Sequence, residues 1–234
     1  MKDQRIYIHE INRLRSGRKT ELYQAMESRG VPLYQKHGVE LVGYWETIMG
    51  HGPWPETISL WEFENFGHYE NFLRSTYAPS DGNFDLRDWQ EEKSEWYSGT
   101  DSYLCLASSA TPSVADHRKS GIKAKMIVHE TMHTEPNRQA EYCEIATEMF
   151  WRRVAEPAGC ALIGIFFSPW KNTRAFNFWG MAEEWEDLNL RGVQADGKAW
   201  YDAEDSKLWN TLGLAIRSDF DDRFAVPAPF STVR

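Results

Sequence analysis

The sequence predicts an α+β fold made twice, as two tandem βαββαβ units in one chain of 234 residues. Two observations predict it. First, the chain repeats itself at a fixed spacing. Ile6-Tyr7-Ile8-His9-Glu10 returns as Met126-Ile127-Val128-His129-Glu130 (129 − 9 = 120), and Arg18 and Glu21 return as Arg138 and Glu141. Gly38, Leu41 and Gly43 return as Gly159, Leu162 and Gly164 (159 − 38 = 121), Trp61 returns as Trp179 (179 − 61 = 118), and Leu104-Cys105-Leu106 returns as Phe224-Ala225-Val226. Offsets that drift and recover are what loop insertions do inside a common framework. The period is too long for a solenoid and is the size of a small domain. Second, each copy runs through the same order of alternating and helical patterns.

In the first copy, residues 6–12 alternate as a strand. Ser16 to Gly30 reads as a helix, with Ser16 as its cap and Leu22, Ala25 and Met26 on one face. Leu41 to Thr47 and Thr57 to Phe63 are strands, joined by the turn formers of Gly50-His51-Gly52-Pro53-Trp54-Pro55. Phe66 to Ser75 is a second helix and Tyr103 to Ala107 a last strand. The second copy follows suit: strand 127–131, helix 136–155, strands 162–167 and 175–181, helix 184–191, and a last strand, 224–228, whose Pro227 and Pro229 suggest a sheet edge. The acidic stretches 79–100 and 193–218, where Trp89 matches Trp200, read as carrying an extra helix each. Residues 1–111 are thus the first repeat, the polar stretch 112–121 is a linker, and 122–234 are the second repeat.

Composition narrows the class. A hydrophobic content of 41% is ordinary for a globular chain. No apolar run approaches the roughly 20 residues of a membrane span, and the N-terminal residues have no signal-peptide core. A net charge of −9 argues against nucleic-acid and anionic-membrane partners. Cys105, Cys143 and Cys160 have neither metal nor redox spacing, and their odd number argues against a disulfide framework. The expectation is a reducing, cytoplasmic compartment, with a homo-oligomer left open.

A βαββαβ unit is a ferredoxin-like plait with helices on one sheet face. The other face is apolar and needs cover. Two such sheets packed face to face form an α/β barrel, which a fused pair closes within one chain. The run Lys36-His37-Gly38-Val39-Glu40-Leu41-Val42-Gly43-Tyr44-Trp45, followed by Ile58-Ser59-Leu60-Trp61-Glu62-Phe63, resembles the signature of NIPSNAP-type domains of the dimeric α/β-barrel superfamily. The resemblance covers most of the first copy. It is weaker in the second, where Pro157-Ala158-Gly159 replaces the Lys-His-Gly start. It implies the barrel. It does not settle function, because that superfamily holds cofactor-free monooxygenases, isomerases, lyases, haem enzymes and proteins without known activity.

Strand alternation sorts the faces. With Ile6 and Ile8 toward the helices, Tyr7 and His9 point into the barrel, as do Ile127 and His129. With Ile58, Leu60, Phe176 and Phe178 toward the helices, Ser59, Trp61, Phe63, Asn177, Trp179 and Met181 point inward, joined by Tyr103 and Arg223. A one-residue slip inverts any of these assignments. The result is an aromatic-lined pocket with a few polar groups, which suits a small molecule.

The expected function is a cofactor-independent enzyme of lyase, isomerase or monooxygenase type, acting on an aromatic or apolar substrate in the barrel. His9 or His129 is the candidate proton carrier. Tyr7, Tyr103, Asn177 or Arg223 orients the substrate or steadies an oxyanion. Trp61 and Trp179, with Ser59, Phe63 and Met181, hold the substrate, and Trp54 and Trp170 sit on paired loops that gate one barrel end. The competing readings are histidines that are satisfied core residues, and a non-catalytic ligand-binding or stress-related protein of the NIPSNAP type. No cofactor and no metal is expected. His129-Glu130-Thr131-Met132-His133 matches the zinc-protease H-E-x-x-H pattern, but that pattern works on a helix. In a strand four residues span about 13 Å, too far for one zinc. A haem role would need an axial ligand, usually His; His68, on the second helix of the first copy, is the one to test, against the preferred reading of a surface residue. Glu46, Glu62 and Arg174 stand at strand ends near the pocket rims. Unpaired sheet edges would allow a third reading, an assembly unit.

Overall fold

Eight strands alternate in direction and close on themselves in a computed structural model that describes residues 4–50, 52–80, 82–157, 159–181 and 204–234. The first copy supplies β1 (Ile6–Leu14), β2 (Glu40–Gly50), β3 (Glu56–Phe63) and β4 (Tyr97–Ala107). The second supplies β5 (Met126–Thr134), β6 (Ala161–Phe167), β7 (Arg174–Met181) and β8 (Arg217–Pro227). Round the barrel the order is β1-β3-β2-β8-β5-β7-β6-β4, every neighbour antiparallel. β1 and β5 are therefore diametrically opposed. Two seams join the copies. β2 pairs with β8 from Trp45↔Pro227 to Gly50↔Arg223, and β4 pairs with β6 through Leu106↔Phe167 and Ala107↔Phe166.

Helices cover the outer faces. In the first copy α1 (Lys19–Ala25) widens into a π-helical turn (Met26–Gly30) and continues as α2 (Val31–Lys36). The predicted Ser16 cap is not used. Arg18 stands at the N-cap without a side-chain bond, and the helix outruns its expected end at Gly30 because Pro32 falls at the start of α2, where a missing N–H is harmless. α3 (Phe66–Tyr77) is capped by Asn65, whose Oδ1 accepts the His68 N–H at 2.9 Å. α4 (Asp85–Trp96) is the extra helix of the first acidic stretch. After the linker helix α5 (Val114–Ser120), α6 (Gln139–Ile145) of the second copy runs into a π segment (Ala146–Ala155), and α7 (Glu204–Leu214) is the counterpart of α4. Trp209 takes the place of Trp89 (209 − 89 = 120). The expected helix 184–191 and the match to Trp200 lie outside the described residues. None of the described helices is long and apolar enough to cross a membrane.

The described residues form three cores. One lies between the outer sheet face of the first copy and its helices, and another is its counterpart in the second copy. The third fills the barrel with side chains from both copies, among them Tyr7, Trp45, Ile58, Leu60, Ile127, Phe176 and Phe178. This corrects the expected register of β3 and β7. Ile58, Leu60, Phe176 and Phe178 face inward, and Ser59, Trp61, Phe63, Asn177, Trp179 and Met181 lie on the helix side. Both faces of these strands are apolar and buried, so alternation alone does not say which is which.

Both β2 and β6 carry a bulge before a glycine, at Leu41/Gly43 and Leu162/Gly164. The ring of Trp45 folds over Gly43, and that of Phe166 over Gly164. A Cβ on Gly43 would stand 1.9 Å from the Trp45 ring, and one on Gly164 2.3 Å from the Phe166 ring. The glycines let bulky rings lie along the barrel wall.

Two further expectations change. β8 is not an edge, because it pairs with β2 on one side and β5 on the other, and Pro227 falls at its last residue, where the ladder ends. Barrel closure leaves the described strands no free edge for assembly. The linker is not a bare tether. It folds as α5 (Val114–Ser120), with a capping box between Ser113 and Asp116. Val114 N–H donates to Glu62 Oε2 at 3.1 Å, His117 Nε2 meets the Ile163 carbonyl at 3.1 Å, and the Val114 side chain joins the barrel core.

Candidate functional site

The two histidines meet at the centre of the barrel. His9 and His129 come from opposite strands, are fully buried, and have ring centroids 4.8 Å apart. Phe176 and Phe178 wall them in, with centroids 4.5 and 5.3 Å from His9. None of the four ring nitrogens has a hydrogen-bond partner. Burial, with the Arg223 charge adding to it, pushes His9 down to about 3. Burial, His9 and Arg223 push His129 well below the ordinary range. Both are neutral at pH 7 and belong to a packed core, and neither lines any of the described clefts.

The other barrel residues serve mostly as fasteners. Tyr7 Oη donates to Glu62 at 2.8 Å and accepts from Arg5. Arg223 Nε donates to Glu56 at 3.0 Å, a buried ion pair that closes the β2–β8 seam. Burial raises the Glu56 pKa despite that partner. Gly50, at φ 141°, lets this strand end pass within contact of Asp222 and Arg223. Tyr103 is half-buried. It stacks on His9 and lines an open groove of about 360 Å³ at the β4–β6 seam, with Asp101, Ser168, Trp170 and Lys171. Trp54 and Trp170 are exposed (74% and 73%) on the β2–β3 and β6–β7 loops at the same barrel end. Met181 ends β7 opposite Met126. His68 uses Nε2 on the His37 carbonyl and Nδ1 on the Glu64 N–H, so its ring holds a turn and offers no free nitrogen to haem iron. His129 and His133 lie on β5, a strand, so the H-E-x-x-H run is not a zinc site; among the described residues no cluster of three or more metal-ligating side chains occurs.

A built cleft lies elsewhere, on the outer face of the first copy. Its floor is Ile8 and Glu10 of β1, Trp61 and Phe63 of β3 and Ser102 of β4. Its roof is Tyr34 of α2, Tyr69, Phe72 and Tyr77 of α3, and Gln90 of α4. The cavity is about 130 Å³. Tyr34 packs on Trp61 at 4.5 Å and on Phe72 at 5.2 Å. At the polar end Glu10 accepts a hydrogen bond from Ser59 Oγ at 2.9 Å and faces the Lys93 ammonium at 3.4 Å. Trp61 Nε1 donates to Ser59 in turn. Burial opposes the Lys93 charge, but Glu10, Tyr34 and Tyr44 outweigh it and hold the amine above the ordinary lysine range. So Trp61 and Phe63 do line a cavity together, with Ser59 bonded to Trp61 and Glu10 behind its wall, one sheet face away from the expected one. Glu10, Tyr34, Gln90 and Lys93 escaped sequence reasoning. The signal was present for one of them: the buried stripe of α4 is Leu86, Trp89, Lys93 and Trp96, a lysine at an apolar position.

The second copy has diverged at this place. Glu130 accepts bonds from Trp179 Nε1 at 2.6 Å and from Asn177 Nδ2 at 2.8 Å, and Asn177 also donates to Tyr142. Gly213 takes the place of Lys93 (213 − 93 = 120). Without that ammonium, burial and Asp222 raise the Glu130 pKa. Trp151 stacks on Trp179 with rings 15° from parallel.

The architecture defines a class, the α/β barrels made of two ferredoxin-like sheets, here fused in one chain. Within the first repeat, residues 11–94 match the NIPSNAP family model. No curated protein sequence matches the chain. Among solved structures, a provisionally assigned monooxygenase of Lactobacillus acidophilus NCFM superposes with a TM-score of 0.61 at 9% identity, over 96% of this chain and 94% of its own. One from Fusobacterium nucleatum superposes at 0.58 and 11% identity, over 97% and 94%. An anthrone oxidase-like protein superposes at 0.55 and 9% identity, over 96% and 92%. These likenesses are likenesses of fold.

Proposed function

We propose that the chain is an enzyme acting on a small aromatic substrate in the outer cleft of the first repeat, with Glu10 as the proton-accepting group. The observation that carries this is a carboxylate paired with a buried ammonium at the floor of an aromatic-walled cavity. A few fixed polar groups in an apolar recess are the ordinary form of a small-molecule site, and a buried ion pair is poor value as a stabiliser. Trp61, Phe63 and Tyr69 provide flat surfaces for a ring. Glu10 removes a proton from an activated C–H of the substrate. A carbanion so formed is either reprotonated, as in an isomerase, or gives its electrons to dioxygen. In the second case a ring CH₂ becomes C=O and the other oxygen atom leaves as water, which needs no redox cofactor. The barrel neighbours described as monooxygenases and as anthrone oxidase-like favour the second outcome.

The test is oxygen uptake by the full chain with anthrone, whose ring CH₂ is acidic. Turnover that falls about 10²–10⁴-fold in Glu10→Gln, the range of a lost general base, is the expected result. Turnover unchanged in Glu10→Gln but abolished in His9→Leu would return the chemistry to the barrel. No uptake and no isotope exchange at the CH₂ would leave the cleft a binding site.

A further inference from the structure

Tyr34 is 5% exposed, yet it lines the cleft. Its Oη accepts Gln90 Nε2 at 2.6 Å, while the Lys93 ammonium is bonded to Glu10. A phenol oxygen has two lone pairs and one proton. Gln90 is a donor, so it addresses a lone pair and leaves the proton to another partner. The nearby Glu10 carboxylate bonds Ser59 and Lys93, and no hydrogen bond joins it to Tyr34. Among the described residues the Tyr34 proton has no acceptor. Burial raises the Tyr34 pKa, so the proton is present at neutral pH. A buried donor left without a partner is costly, and such a donor beside a cavity is satisfied when something enters it.

We propose that Tyr34 is the recognition group of the cleft and that its hydroxyl donates to a neutral carbonyl oxygen carried by the aromatic substrate. This rests on the cleft being an aromatic site, as argued above. Gln90 is a positioning residue: it occupies a lone pair of the phenol and leaves the proton to a ligand in the cleft. One specificity follows. A carboxylate ligand finds no spare cation, because the Lys93 charge is already answered by Glu10.

The experiment measures binding of 1-tetralone and of tetralin, the same ring system without the oxygen, to the full chain by calorimetry. It adds the infrared carbonyl stretch of bound ¹³C=O-labelled tetralone. The expected result is a preference of about tenfold for the ketone, the size of one well-made hydrogen bond, and a carbonyl stretch below its value in hydrocarbon solvent. Tyr34→Phe should bind tetralin as before while losing both the preference and the shift. Gln90→Leu, which keeps the phenol, should show a smaller shift, and it supplies the readout if the phenylalanine variant does not fold. Equal binding of the two compounds by the wild type, or a Tyr34→Phe protein that keeps the preference, overturns the role of Tyr34 and leaves the aromatic cleft standing. Failure of both compounds to bind overturns the cleft and Tyr34 together.

Discussion

His9 and His129 sit where an acid finds the molecule vulnerable. An imidazole ordinarily titrates near 6.5, but folded His9 is pushed down to about 3. Between those values the unfolded chain takes up protons that the folded chain refuses. The stabilisation is therefore complete above about pH 6.5 and drains away as pH falls toward 3. His9→Leu should flatten the fall of the urea midpoint across this window relative to wild type. An unchanged slope would mean that the histidine is not the group responsible. Lys93 makes the opposite case, a charge kept in the folded state by its partner. Lys93→Met should lose about 3–5 kcal/mol by stranding Glu10, and the double variant with Glu10→Gln should recover most of it. Additive effects in urea denaturation would dissolve the pairing. At this scale the sequence was legible in part. The repeat singled out His9 and passed over Glu10 beside it, and the odd periodicity of Lys93 was readable in principle. Tyr34 was not, because its meaning lies in which neighbours claim its lone pairs.

The elements were more legible than the residues. Strand and helix order followed from periodicity, and Gly43-Tyr44-Trp45 was recognised as a motif before its cause was visible. That cause is steric: Trp45 occupies the space a Cβ would need. Gly43→Ala should destabilise by about 1–3 kcal/mol, as overpacking does, and the thermal midpoint of the variant checks it. A neutral result would mean that the bulge absorbs the methyl group. Faces were the weak point. Ile58 and Ser59 are both buried, as are Phe176 and Asn177, so no solvent-facing residue pins the register of β3 or β7. What decides it is the volume inside the barrel, where Phe176 and Phe178 pack on the two histidines. The linker likewise read as polar and turned out to hold a capped helix, because Ser113 and Asp116 were near enough to cap one.

At the scale of the whole molecule, the duplication is legible as a repeat, while its divergence requires the structure. A residue-by-residue offset pairs Glu10 with Glu130 and Lys93 with Gly213, but it takes the structure to show that Lys93 lies on Glu10 and that Trp151 lies over Trp179. The barrel core draws on both repeats, and its facing positions differ too, Tyr7 against Ile127 and Leu60 against Phe178, while the two histidines are the same.

The unequal seams make the barrel a hinged box. On one side a ladder from Trp45 to Gly50 and the Glu56–Arg223 pair form the hinge. On the other, β4 and β6 touch through two rungs and then part around Tyr103 and Trp170, a clasp with fewer bonds to hold it. A symmetric dimer could not be built this way, because a two-fold axis would make both sides alike. Fusion into one chain removes that constraint. Amide hydrogen exchange should therefore be faster at Leu106, Ala107, Phe166 and Phe167 than at Trp45, Glu46 and Val226, and equal rates would deny the box its preferred side.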